Sequence, residues 1–102
     1  MNIISVQQLK ERLETPLPGT SILIDVRSPE EYAAGHIPSA VNRPIGSLPI
    51  YEEALRAYDH VYVHCLTGGR SGRVCARLEE IGLPDARSVE GGVTAWEAGG
   101  FP

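Results

Sequence analysis

The 102-residue sequence predicts an α/β protein: a parallel sheet flanked by helices on both faces. Three observations predict it. Short apolar runs with strand character alternate with helix-like stretches along the whole chain. The run Ser21-Ile22-Leu23-Ile24-Asp25-Val26 is apolar at successive positions, which suits a strand covered on both faces. A second run, His60 to His64, leads into a glycine-containing loop and then a helix, and parallel sheets place their ligand sites beyond strand carboxyl ends.

The elements follow in order. Ile3-Ile4 reads as a short edge strand. Ser5 is an N-cap for a helix whose apolar positions Val6, Leu9 and Leu13 share one face, with Gln8 as capping-box partner. Thr15-Pro16-Leu17-Pro18-Gly19 breaks that helix. Ser21 to Val26 is the clearest strand, with Asp25 at its carboxyl end. Ser28-Pro29-Glu30-Glu31-Tyr32 has an N-cap serine, proline at the first helical position and acids in the first turn, and Gly35 ends this short helix. Ile37 to Asn42 forms a turn into a short strand that Pro44 stops. A helix is expected within Ser47 to Tyr58, with Ile50, Tyr51, Ala54, Leu55 and Tyr58 near one face. His60 to His64 is the second core strand. From Gly72 to Ile81 the pattern is helical, with Val74, Leu78 and Ile81 inward, Gly82 as the stop and Pro84 beyond. Ala86 to Val89 is a last short strand, Glu90-Gly91-Gly92 a tight turn, and Val93 to Ala98 a closing helix ended by Gly99-Gly100.

Composition excludes several function classes. The length argues for one domain spanning residues 1–102, large enough to bury a core without covalent staples. A net charge of −4 and no basic face argue against a nucleic-acid partner. No apolar stretch approaches the length that spans a membrane, so no membrane partner is expected. Residues Met1 to Gln7 lack the charged-then-apolar pattern of a secretory signal. Two cysteines, Cys65 and Cys75, are too few for a disulfide scaffold, and neither has metal-site spacing. A soluble protein of the reducing cytoplasm, with no metal and no cofactor, is the expectation.

The chemistry centres on His64-Cys65-Leu66-Thr67-Gly68-Gly69-Arg70-Ser71. A cysteine nucleophile acts as its thiolate, and a helix N-terminus with a nearby cation lowers the thiol pKa. Gly68 and Gly69 let the backbone curl so that successive N–H groups point inward as an anion nest. Arg70 brings a positive charge, either into the bowl or as a brace outside it, and Ser71 either caps the helix or donates to the sulfur. His64 precedes Cys65 on the strand, so its side chain faces the opposite side and a structural role is expected. His36 reads as a hydrogen-bonding turn residue. Asp25 and Arg27 read as braces, paired with each other or, for Arg27, with Glu31. Arg43 reads as solvated. Arg73 is a weaker candidate for steering an anion. Cys75 reads as a core residue, and Trp96 with Val93 as the closure of the core near the glycine turn.

Taken together, these motifs resemble those of single-domain rhodaneses, sulfurtransferases of the rhodanese superfamily. The family's active loop runs Cys-x-x-Gly-x-Arg-Ser in many single-domain members, as Cys65 to Ser71 does here. Asp25-Val26-Arg27-Ser28-Pro29-Glu30-Glu31-Tyr32, Gly35-His36-Ile37-Pro38-Ser39-Ala40-Val41-Asn42 and Glu90-Gly91-Gly92-Val93-Thr94-Ala95-Trp96 resemble the family's flanking patterns. The resemblance implies a rhodanese-like fold with a five-stranded parallel sheet. It implies a Cys65 persulfide, held by backbone N–H groups of Leu66, Thr67, Gly68, Gly69, Arg70 and Ser71. Sulfur would pass from thiosulfate or a low-molecular-weight persulfide to a thiophilic acceptor, a small or protein thiol. Arg70 matches the loop arginine that helps bind an anionic donor.

Two alternatives accompany that reading. One is a sulfur-relay or docking module serving a partner enzyme. The other is a cysteine phosphatase or arsenate reductase; but phosphatases use Cys-x5-Arg, whereas Cys65 and Arg70 are spaced as Cys-x4-Arg, a smaller bowl better matched to one sulfur. Leu66, Thr67 and Gly69 carry no charge, so Arg70 is the only cation of the loop. Two-domain rhodaneses often place more positive charge there, so glutathione persulfide or a protein persulfide stands beside thiosulfate as donor.

Overall fold

The structure, a computed structural model, describes residues 2–83 and 85–101; the expected proline stop at Pro84 lies outside the described residues. Strands and helices alternate as β1 (Ile3–Ile4), α1 (Val6–Glu14), β2 (Ser21–Asp25), α2 (Pro29–Ala34), β3 (Val41–Asn42), α3 (Leu48–Tyr51), β4 (His60–His64), α4 (Gly69–Glu80), β5 (Ala86–Val89) and α5 (Gly92–Ala98). The five strands form one sheet in the order β1-β5-β4-β2-β3, and every pairing is parallel. This is the rhodanese-like arrangement that the motifs imply.

The central pair carries the site. β2 and β4 run in register from Ser21 opposite His60 to Asp25 opposite His64, so Asp25 and Cys65 emerge at the same end of the sheet. Alternation then sorts the side chains. Ile24, Val26, Val61, Val63 and Ala86 face α4 (Val74, Cys75, Leu78) together with Tyr51 and Leu55. Leu23, Tyr62, Ile4 and Val89 face Leu9 of α1 and Val93 and Trp96 of α5. Burying each large apolar side chain is worth roughly 1.5–3 kcal/mol, so both faces hold the sheet in place. Trp96 closes the second layer, edge-on to Phe101 at 4.9 Å.

The helix caps form as the sequence predicts. Ser5 accepts from the Gln8 amide while Gln8 reaches back to Ser5. Ser28 does the same with Glu31, which completes a capping box in addition to the expected serine N-cap and first-turn proline.

The stretch from Ser47 to Tyr58 departs from expectation. It is not one helix. A 3-10 turn (Ile45–Ser47), the four-residue α3 and a second 3-10 turn (Ala54–Ala57) replace it. The pieces present a different set of residues inward. Leu48, Tyr51, Leu55 and Tyr58 pack on the sheet, whereas Ile50 is 85% exposed and Ala54 is exposed too. Pro49, early in α3, cannot donate to the ladder, and Glu52 and Glu53 lie between the two turns.

The opposite end of the sheet carries a charged clasp. His60 places Nδ1 2.8 Å from Asp85 Oδ2 and Nε2 3.0 Å from the Pro18 carbonyl. Only the imidazolium has an N–H for each acceptor. The Asp85 carboxylate, then the Pro18 carbonyl, raise the His60 pKa above its ordinary 6.5. A raised pKa contributes stability that is complete below the unfolded value and is lost as pH rises through the folded value. We therefore expect His60→Gln to cost most near about pH 5.5 and little near about pH 8.5, read from urea melts. An equal cost at both would show that folding leaves the His60 pKa unchanged.

Candidate active site

Cys65 stands one residue past β4 and is 1% exposed. The chain must reverse between His64 and Gly69 to enter α4. Gly68 permits this: it is left-handed, with φ +118, as the N-cap of α4. The helix begins at Gly69, three residues before the sequence pattern suggests, so Arg70 and Ser71 belong to its first turn. The free N–H groups of that turn are what bring donors to the sulfur.

Cys65 Sγ accepts from the Gly68 amide at 3.1 Å and the Ser71 amide at 3.4 Å, and its thiol lies 3.5 Å from Ser71 Oγ. Burial alone pushes the thiol pKa up. The Ser71 hydroxyl and amide, with the Gly68 and Thr67 amides, outweigh it, and the net direction is down. Ser71 Oγ also contacts the Gly68 carbonyl at 3.1 Å and Ser88 Oγ at 2.7 Å. Ser88 on β5 is buried and is a site residue that sequence reading missed. Leu66, 44% exposed, and Thr67 form the outer rim.

A second helix clamps the loop from behind. Val93 N–H donates to the Cys65 carbonyl at 2.9 Å, and Thr94 N–H donates to the Leu66 carbonyl at 3.1 Å. These are first-turn donors of α5, which otherwise lack partners. Gly92 makes the approach close: its φ is +56, and a Cβ there would strike the carbonyl oxygens of both Cys65 and Leu66. Left-handed strain and overpacking together predict that Gly92→Ala costs about 3 kcal/mol in denaturant melts and misplaces the Cys65 carbonyl. A loss below about 1 kcal/mol would mean that the clamp gives way easily.

Arg70 takes the outside position. Its two terminal nitrogens meet the two oxygens of Glu31 at 2.8 and 2.9 Å. The Glu31 carboxyl is drawn down to about 2, chiefly by Arg70, against the opposing effect of burial and with further help from the Ser28 amide. Among the described residues Cys65 Sγ meets amides and the Ser71 hydroxyl, so the Arg70 side chain braces the loop while its backbone belongs to it.

Asp25 and Arg27 pair with each other in the interior. Arg27 Nη2 meets Asp25 Oδ2 at 2.8 Å, with side chains 5% and 0% exposed. Arg27 therefore does not pair with Glu31, which belongs to Arg70. Arg27 also donates to the Gly35 carbonyl at 2.6 Å, and Asn42 ties the Asp25 and Arg27 carbonyls at 3.1 and 3.0 Å. This fixes the β2–α2 turn that presents Glu31.

His64 lies wholly buried with its Nε2 3.7 Å from Asp25 Oδ2, on the face opposite Cys65, and among the described residues no hydrogen bond of ordinary geometry reaches its ring nitrogens. Burial lowers its pKa to about 4, against the pull of Asp25, so it is neutral at physiological pH. His36 stacks on Tyr32 at 3.7 Å and engages the Tyr32 carbonyl, the expected turn role. Arg43 is exposed and turned to the Asn42 carbonyl. Arg73 is on the exposed side of α4. Cys75 is buried, and burial drives its thiol pKa up to about 12.

A parallel α/β sheet with one buried, amide-solvated cysteine at the carboxyl end of its central strand defines a cysteine-loop α/β domain. The rhodanese-like domain family matches residues 5–99, and this chain belongs to that family. A relative named sulfurtransferase from Allochromatium vinosum is 32% identical over the whole chain and 94% of its own length. The putative sulfurtransferase YtwF of Bacillus subtilis is 42% identical, covering 92% of this chain and 88% of its own. A rhodanese-related protein from Thermoplasma volcanium superposes with a TM-score of 0.86 at 30% identity, covering 100% of this chain and 96% of that one.

Proposed function

We propose that the protein is a rhodanese-type sulfurtransferase that carries sulfane sulfur as a persulfide on Cys65. The observation that carries the reading is the solvation of Sγ. Two directed amides, those of Gly68 and Ser71, meet a buried sulfur whose thiol points to the Ser71 hydroxyl. Such preorganised donors stabilise an anion without reorganisation. When the thiol ionises, the Ser71 hydroxyl can turn to donate to the thiolate while Ser88 donates to Ser71.

The reaction follows in two displacements. The Cys65 thiolate attacks the outer sulfur of thiosulfate. The S–S bond of the donor breaks, its electron pair leaves on sulfite, and Cys65 holds a persulfide anion. In this reading the backbone amides of Leu66 to Ser71 hold that outer sulfur, and the Gly68 and Ser71 amides on Sγ support it. The persulfide takes up a proton from water; an acceptor thiolate then attacks its outer sulfur, takes that sulfur with its proton, and returns Cys65 as thiolate. A low-molecular-weight persulfide can supply the first step, and the acceptor is a small or protein thiol. His64 is no proton carrier here, since it lies on the opposite face. The setting proposed is a reducing, cytoplasmic one, in keeping with two free cysteines; no helix among the described residues is long and apolar enough to cross a membrane.

The test is intact mass after brief exposure to thiosulfate or glutathione persulfide, then cyanide or thiol. One added sulfur atom on Cys65, removed by the acceptor, is the expected result. No adduct with either donor sinks the reading. Loading followed by transfer to one protein thiol alone would favour the relay form of the same chemistry.

A further inference from the structure

We propose that the Glu31–Arg70 ion pair sets donor selectivity. By holding the loop's only guanidinium against α2, it leaves Cys65 a bowl of N–H groups without a free cation. That bowl suits the sulfur end of an organic persulfide better than doubly charged thiosulfate. The inference rests on the sulfur-transfer reading above and names the donor class of the same site.

Arg70 is the sole charged residue from Cys65 to Ser71. Its fork is filled, since each terminal nitrogen has its own Glu31 oxygen, at 2.8 and 2.9 Å. Bidentate pairs of this kind are directional and strong. Glu31 is itself held. Its Oε1 also accepts from the Ser28 amide and hydroxyl, each at 3.2 Å, as the third-position member of the α2 capping box. The cap of α2 and the cation of the loop are thus one network. Physiological pH does not open it, because the Glu31 carboxyl titrates at about 2.

Two other arginines were candidates from the sequence, and neither makes a hydrogen bond to Cys65 Sγ. Arg73 is exposed, while Ser71, Gly72, Val74 and Cys75 turn inward from α4. Arg43 is exposed with Nη1 on the Asn42 carbonyl. The consequence lies in the leaving group. Attack on an organic persulfide releases one thiolate, which carries away the bond pair, and leaves the outer sulfur with its proton on Cys65. Attack on thiosulfate releases sulfite with two negative charges at a loop mouth whose cation is already paired.

Glu31→Gln isolates the ion pair, because glutamine keeps the capping-box acceptor and removes the charge. Thiosulfate and glutathione persulfide are the probes, with kcat and KM measured for each. The wild-type protein is expected to favour glutathione persulfide in kcat/KM by about tenfold or more. E31Q is expected to lower KM for thiosulfate by about three- to tenfold with a smaller change in kcat, moving the ratio toward thiosulfate. The gain should vanish in the double variant E31Q/R70Q, where no cation is left to release. Glu30→Gln removes the same charge from the same turn of α2 and should leave the thiosulfate KM unmoved. A wild-type preference for thiosulfate overturns the proposal. So does a thiosulfate KM that E31Q does not lower, a gain equalled by E30Q, or a gain that survives R70Q. If neither donor leaves sulfur on Cys65, the sulfur-transfer reading fails and takes the proposal with it; if sulfur loads but selectivity does not shift, only the proposal fails.

Discussion

Cys65→Ser is expected to abolish sulfur transfer, by at least about a thousandfold, and to leave the fold intact. Sulfur is polarisable and its thiol ionises within reach of neutral pH; a serine hydroxyl does neither, and no base lies beside Cys65 to compensate. The site is built to solvate an anion that already exists. It holds two amides and one hydroxyl around Sγ, while His64 faces the other side of the sheet. Cys75 cannot take over, because it is buried and its thiol titrates near about 12. The stability of Cys65→Ser should lie within about 1 kcal/mol of wild type, since the donors that meet Sγ can meet a hydroxyl oxygen. Transfer rates, persulfide mass and a denaturant melt on one preparation decide it. Retention of about a tenth of the wild-type rate in a folded variant would place the nucleophile elsewhere.

What was legible in the sequence was mostly local. The strand order cannot be read from periodicity, but the burial of β2 and β4 on both faces follows from their unbroken apolar runs. The caps of α1 and α2 follow from serine and a glutamine or glutamate three residues on. Ser28-x-x-Glu31 carried the signal for Glu31 as a fixed side chain, although its second contract, with Arg70, joins residues 39 apart in sequence. The direction of Arg70 depends on the left-handed turn at Gly68, which a glycine permits without dictating. Ser88 reaches the site only because β5 lies beside β4, a tertiary fact with no local mark. The Gly91-Gly92 pair did have a mark, a tight turn. What it approaches, the Cys65 and Leu66 carbonyls, appears only once α5 is docked. The error at Ile50 has the opposite origin. A single helix expected over this stretch gives way to short pieces, whose inward residues Leu48, Tyr51, Leu55 and Tyr58 leave Ile50 on the solvent side.

Asp25→Ala should be the most destabilising of the substitutions considered, costing about 3–5 kcal/mol. The carboxylate takes four contacts from Arg27: the backbone amide at 2.9 Å, Nε at 3.1 Å to each oxygen, and Nη2 at 2.8 Å. Removing it strands a guanidinium whose residue is 4% exposed, with the Gly35 carbonyl as its remaining acceptor among these contacts. A buried ion pair is weak support for net stability, but half of one is a large liability. The sign of a second substitution separates these two statements. Adding Arg27→Met to Asp25→Ala should recover part of the loss, because an apolar chain of similar reach has no charge to strand. Asp25→Asn should fall between wild type and alanine, since it keeps an acceptor for the Arg27 amide. Urea midpoints at constant m-value measure all three. The same turn presents Glu31, so the Asn variant should also widen the spread of Arg70 and shift donor selectivity in the direction of E31Q, by a smaller factor. A loss under about 1 kcal/mol for Asp25→Ala would mean that Arg27 reaches water, and that the β2–α2 turn is fixed by Ser28 and Asn42 instead.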